Sequence, residues 1–474
     1  MLQTLKNAWR TKDIRSKILF TFFILLIYRI GTVIPVPFVD AHNFASTFDG
    51  TILDYLNVLS GGSLGNATLF ALGVSPYINS SIIIQLLAVV FPKLGEISKN
   101  DKKKMGLITR VTTVILAVVT ALGFYFLLAG GALTPAATKG VGSNYRLYGL
   151  VIILCYVAGA SLVMWLADRI NEHGIGNGVS MILFANIVTA IPNQCIQLYR
   201  LVRGTFAYET NRVGYAILAI AFVLLILAIV LAMTMFVIFI TGSERRIPVQ
   251  YAKRVVGRKM YGGQSSNLPI KLNMTGVMPV IFASSIVSLI PTILALCNVT
   301  AETPNGWGKF AKIIGSDGVI YPIVFFILII AFAYFYTQIT FDPIEVANNL
   351  KKQGGAIPGI RQGRPTSDYI KKILNKITLA GALFLSVVAV LPVIAGPHLI
   401  QHIIEWILSG NPTFISMMAE DPTMAAESLT SAAKSYSSTF TFGGTSLIIV
   451  IGVALETFRE LEAQLTMRNY KGFL

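Results

Sequence analysis

Residues 59–87 read LSGGSLGNATLFALGVSPYINSSIIIQLL. The part up to Gly73 is Gly-rich, only half apolar and too short to cross a bilayer. The part from Val74 onward carries Pro76 and continues as an apolar run. Irregular backbone is tolerated at membrane depth only where it is buried in protein or lines a cavity. The first part is therefore expected to fold back into a central cavity as a short re-entrant helix, ahead of a true span.

The rest of the chain fits a membrane setting. Of its 474 residues 54% are hydrophobic and 13% charged, whereas soluble domains carry about 25% charged residues. The apolar residues form ten blocks: 18–36, 75–92, 106–129, 147–167, 177–198, 214–241, 275–297, 319–341, 377–396 and 444–463. A span needs about 20 such residues to cross about 30 Å of hydrocarbon. The blocks are too long and too uniformly apolar for barrel strands, so the expected fold is an all-α polytopic membrane protein with ten transmembrane helices. The basic, then apolar, N-terminus mimics a signal peptide, but it lacks a small-residue cleavage site and is expected to be a retained first span.

Lys and Arg placement sets the expected orientation. Five basic residues lie in 1–17, seven in 242–274 and seven in 342–376, and 93–104 adds Lys93, Lys99, Lys102, Lys103 and Lys104. Residues 37–73 have none, and 397–443 have only Lys434. The rich segments fall on one side of a ten-span count, so both termini are expected in the cytoplasm. The 242–274 loop has turn-like, alternating stretches that suggest a hairpin. The 342–376 loop carries a Gly/Pro-rich turn.

Two internal echoes divide the chain. GVSPYINSSIII (73–84) matches GVMPVIFASSIV (276–287) at six of twelve positions, and GNGVSMIL (176–183) aligns more weakly with FGGTSLII (442–449). The partners are five spans apart, so they enter from opposite sides. This is the pattern of an inverted repeat with a pseudo-twofold axis in the membrane plane. The expected halves are 1–205 and 206–474.

No enzyme constellation, cofactor motif or metal spacing is present. Cys155, Cys195 and Cys297 are scattered and read as packing residues. Ionisable residues in spans are functional candidates. Here they are few: Arg29, Asp168 and Glu172 near span ends, and Glu456. That scarcity argues against an ion-coupled carrier, although such carriers also use inverted repeats. Val74 and Ile78 share a helix face, as do Val179 and Leu183, and Ile281 and Ile449 are their repeat mates. Aliphatic rings gate by excluding water; ordinary helix packing explains the same spacing.

The stretches at 27–37, 59–87, 169–187, 251–254, 268–286, 349–363 and 442–450 resemble the SecY family of protein-translocation channels, in order along the whole chain. The resemblance implies an hourglass pore between two inverted five-helix halves, in the bacterial cytoplasmic membrane. Such a pore is closed by a plug and opens sideways to lipid between spans 2 and 7. It places the pore ring at Val74, Ile78, Val179, Leu183, Ile281 and Ile449. It places the plug at about 60–72, with Ser60, Gly61, Gly62, Ser63, Leu64, Leu69, Phe70 and Leu72. Asn273, Gln85 and Thr109 match the lateral gate. Arg245, Arg246, Lys253, Arg254, Arg258, Lys259 and Arg361 become contacts for ribosomal RNA or the SecA motor. SecE and SecG are the implied subunits, and signal peptides, nascent secretory chains and membrane lipids the implied ligands. Phe38 departs from the pattern, which often has Gly there. The loop at 398–440 is assigned no role.

Overall fold

The computed structural model describes residues 2–40, 60–128, 145–206, 212–251, 254–256, 259–261, 265–296, 320–395, 399–409, 422–441 and 443–471, with single positions 57, 133, 308, 310, 318 and 417. Every one of the ten apolar blocks contains a helix. In chain order the helices are α1 (Leu2–Arg10), α2 (Lys12–Gly31), α3 (Ser75–Val90), α4 (Pro92–Asn100), α5 (Lys102–Leu128), α6 (Tyr145–His173), α7 (Gly178–Thr205) and α8 (Arg212–Gly242). They continue as α9 (Met278–Leu296), α10 (Ile320–Thr340), α11 (Pro343–Lys352), α12 (Arg364–Ala395), α13 (Gln401–Leu408), α14 (Pro422–Thr441) and α15 (Gly443–Lys471).

Among the described residues, six helices are long and apolar enough to cross a membrane alone, and α3 with α4 makes a bent seventh. The 118° bend falls at Phe91. Pro92 forces its predecessor out of the helical region, and Phe91 is extended at φ −102°, ψ 110°. The helices α2, α9 and α15 are outside this set because α2 and α15 carry charged ends and the described apolar part of α9 is short. The lipid setting explains outward faces such as Ile217, Leu224, Leu231 and Phe239 on α8, which water would not tolerate as one continuous patch.

The inverted repeat is visible in the backbone. Gly73 and Gly276 both adopt the left-handed region, at φ +52° and +64°. One residue on, the Val74 carbonyl accepts from the Tyr77 and Ile78 N–H groups, and the Val277 carbonyl accepts from those of Val280 and Ile281. Each glycine supplies a conformation that costs other residues, and each turn launches a helix, α3 or α9. A second mate pair was silent in the sequence. Gly159 on α6 lies against the carbonyl of Leu69, and Gly381 on α12 lies against that of Leu272. Each leucine precedes its left-handed glycine by the same interval.

The expected hairpin is present. Strand β1 (Glu244–Tyr251) pairs antiparallel with β4 (Ser265–Lys271), and β2 (Arg254–Val256) pairs with β3 (Lys259–Tyr261) between them. Beyond the expectation, β5 (Gly355–Ala356), from the loop before α12, adds to β1, so two separate basic loops share one sheet. Ile247 and Val249 face inward from β1, as strand alternation requires. They pack with Ile270, Leu350, Ile357, Ile370 and Leu374 in a separate core. On the opposite side of the spans, α13 and α14 fill much of the 398–440 loop. Ile404, Ile407 and Leu408 pack there with Leu201 of α7 and Phe222 of α8.

Phe38 stands at φ +68° and packs its ring 4.6 Å from that of Tyr148. A left-handed position suits glycine and strains a phenylalanine.

Candidate pore and plug

The repeat turns aim their first helical residues inward. Val74, Ile78, Leu183, Ile281 and Ile449 are all buried and belong to one apolar cluster fed by α3, α7, α9 and α15. All five line a cavity of about 90 Å³. Val179 is the exception: it packs against the same cluster, half-buried, but does not border the cavity. It sits in the first turn of α7, where Asn177 caps the helix by accepting from the Val179 N–H.

Ser60, Leu64 and Leu72 close one side of the cavity. The segment expected as a short re-entrant helix is, over its described residues 60–73, a run of overlapping turns. The sequence explains this. Gly61, Gly62, Ala67 and Gly73 all have positive φ, and repeated left-handed steps cannot continue a right-handed helix. Side chains carry the folding instead. Ser60 Oγ accepts from the Leu64 N–H, Ser63 Oγ donates to the Ser60 carbonyl, and Thr68 Oγ1 donates to the Ser63 carbonyl. Ser63 and Thr68 are almost fully buried, so satisfying their hydroxyls locally avoids a desolvation penalty.

The remaining cavity wall mixes Ala71, Phe124 and Leu289 with polar residues. Ser75 and Asn79 of the α3 face, Thr120 of α5, and Ser284, Ser285 and Ser288 of α9 border it. Ser284 and Ser288 turn their hydroxyls onto carbonyls of their own helix. Asn79 Oδ1 is buried without a hydrogen-bond partner among the described residues. Sequence reading missed these residues, although their spacing along α9 was available.

The three expected gate residues do not form one hydrogen-bonded group among the described contacts. Gln85 Nε2 donates to Ser81 Oγ, one turn back on α3, at 2.9 Å. Thr109 Oγ1 donates to the Met105 carbonyl. It is the Thr109 backbone that joins helices, by accepting from Ser80 Oγ at 2.8 Å. Asn273 is buried ahead of α9, which packs against both α3 and α5.

The basic residues divide. Arg245 and Arg361 are exposed. Arg246 is exposed but pairs with Glu244 at 2.8 Å. Arg254 and Lys259 lie on β2 and β3, while Lys253 and Arg258 lie outside the described residues. Lys271 pairs with Glu244 in the β1–β4 register. Partial burial, reinforced by the nearby Arg459 charge, lowers its ammonium pKa.

Similarity to known proteins agrees with this fold. A family model described as SecY matches residues 68–458. The chain is 38% identical to the protein translocase subunit SecY of Streptomyces coelicolor, over the full length of both. A solved structure of a protein-conducting channel superposes with a TM-score of 0.60 at 17% identity, covering 95% of this chain and 92% of the other. The canine Sec61 of a ribosome-channel complex from the endoplasmic reticulum gives a TM-score of 0.56 at 16% identity, with the same coverages.

Proposed function

Because the chain belongs to the SecY family, we propose that it works as a protein-conducting channel in which five aliphatic side chains form the seal and residues 60–72 form the plug. It translocates unfolded polypeptides and releases apolar segments into lipid. The supporting observation is that Val74, Ile78, Leu183, Ile281 and Ile449, far apart along the chain, border one cavity together with Ser60, Leu64 and Leu72. An aliphatic ring excludes water and ions at rest. It also offers no fixed hydrogen-bond pattern, so it accepts any extended chain. Val179 stands at the edge of this ring.

The halves meet near the 205/206 boundary, and the exit to lipid runs between α3 and α9, past Gln85, Thr109 and Asn273. Both termini and the shared β-sheet face the cytoplasm of a bacterial cell, following the basic-residue bias. Arg245, Arg246, Arg254, Lys259 and Arg361, with Lys253 and Arg258, bind ribosomal RNA phosphates or SecA in a salt-sensitive way. The driving energy comes from such a partner, and SecE and SecG complete the complex.

Replacing Ile78 and Ile281 together by Asn tests the ring. Planar-bilayer recordings should show a resting ion current that the unaltered channel lacks. A current no larger than that of the unaltered channel would remove these residues from the seal.

A further inference from the structure

The plug segment is fastened on one side. Arg29 Nη1, at the end of α2, donates to the Gly61 carbonyl at 3.3 Å. Just beyond α2, the Ile34 carbonyl accepts from the Leu69 N–H at 2.9 Å, and the Val36 N–H donates to the Ala67 carbonyl at 3.0 Å. The Phe70 ring stacks on Tyr28 with centroids 5.5 Å apart and planes 13° from parallel. The Tyr28 hydroxyl accepts from Asn186 Nδ2 of α7 at 3.0 Å. These partners, and Gly159 against Leu69, all belong to the first five spans. Towards α9 the arrangement differs: Ser60, Leu64 and Leu72 there border the cavity, across from Ser284, Ser288 and Leu289.

Arg29 explains why the fastening is specific. A guanidinium in an apolar span is costly unless it is paired or reaches the interface. Here it meets a backbone carbonyl at a position whose geometry favours glycine. A Cβ at Gly61 would lie 3.0 Å from Arg29 Nη1 and 2.9 Å from Asn186 Oδ1, and its φ is +68°.

We propose that Arg29, Tyr28 and Asn186 form a latch that fixes the plug to the N-terminal half, so that clearing the pore is a step separate from parting the two halves. The latch rests on the channel reading above. Parting α3 from α9 widens the cavity side and leaves these contacts whole. The plug leaves only when the Arg29–Gly61 bond and the Tyr28–Phe70 stack break. Arg29 is thus a positioning residue: it sets where the plug rests and touches no translocating chain in the closed state.

The test uses the full chain, reconstituted with its co-purifying subunits, in a background where Cys155, Cys195 and Cys297 are Ser. Hydrogen bonds to charged groups shift an equilibrium by about tenfold or more. Arg29→Gln should therefore raise the resting open-plug fraction, read as bilayer conductance, by about tenfold. Tyr28→Phe, which keeps the ring and loses the Asn186 bond, should raise it less. Adding Val36→Cys and Ala67→Cys to Arg29→Gln should restore the seal under oxidising conditions and lose it again with reductant. A channel that merely folds poorly would not show this reversal. Deletion of 60–72 is the reference. If the deletion conducts and Arg29→Gln does not, the latch is wrong and the channel reading stands. If the deletion also fails to conduct, the channel reading falls and the latch falls with it.

Discussion

Ser80 of α3 donates its hydroxyl to the backbone carbonyl of Thr109 on α5, at 2.8 Å. The carbonyl is also used by Thr113 Oγ1, one turn along α5, at 2.7 Å. A buried serine thereby joins two neighbouring spans beside the proposed lipid exit. Ser80→Ala should lower stability by about 1 kcal/mol, the net value of one such bond. The denaturant midpoint of the solubilised protein checks this, and Ser80→Thr should retain most of it.

Asn79 gives the opposite sign. Its buried Oδ1 lacks a partner among the described residues, and an unsatisfied buried polar atom costs about 1–3 kcal/mol. Asn79→Leu keeps the branched four-atom skeleton and removes the cost, so the closed state should gain up to that amount. The expected result is a higher melting temperature with slower initial translocation. Faster translocation at unchanged stability would contradict it.

Gly159 and Gly381 should respond alike in stability and differently in leakage. A methyl group at either position meets a backbone carbonyl, that of Leu69 or of Leu272. Overpacking of this kind costs about 1–3 kcal/mol. Gly159→Ala displaces the plug backbone and should add a resting ion current. Gly381→Ala displaces the foot of the sheet and should leave the resting current low. Paired thermal melts and bilayer recordings distinguish the two.

The shared sheet permits a charge experiment. Arg245 and Arg361 are exposed, and exposed substitutions usually change stability by less than about 0.5 kcal/mol. Replacing both by Gln should leave the melting temperature in place. It should weaken ribosome or SecA binding and flatten its salt dependence. Co-sedimentation at several salt concentrations measures that slope.

Much of the architecture was legible because it is written in long-range periodicity. Ten apolar blocks became ten helices, and the alternation in ERRIPVQY became β1. Val74, Ile78 and Ile281 are placed alike because Gly73 and Gly276 build the same turn. Val179 packs against the same cluster without bordering the cavity, since four-residue spacing fixes a helix face but not how far a first-turn side chain reaches. The turn structure of residues 60–73 was hidden by Ala67, a non-glycine at φ +47°. Gly159 was hidden because a single glycine in an apolar helix carries no sign of what lies against it. Arg29 was ambiguous for a related reason: its partner is a carbonyl, which every residue has.

The shared sheet has a mechanical consequence. Strand β4 ends at Lys271, the Leu272 N–H donates to the Ser243 carbonyl, and α9 begins at Met278. Gly381 of α12 supports that same Leu272. The sheet is thus joined to α9 through a short segment that rests on Gly381 at Leu272. Because β5 pairs with β1, a pull on either basic loop is shared by both. A displacement of either loop would therefore reach the start of α9 through the end of β4.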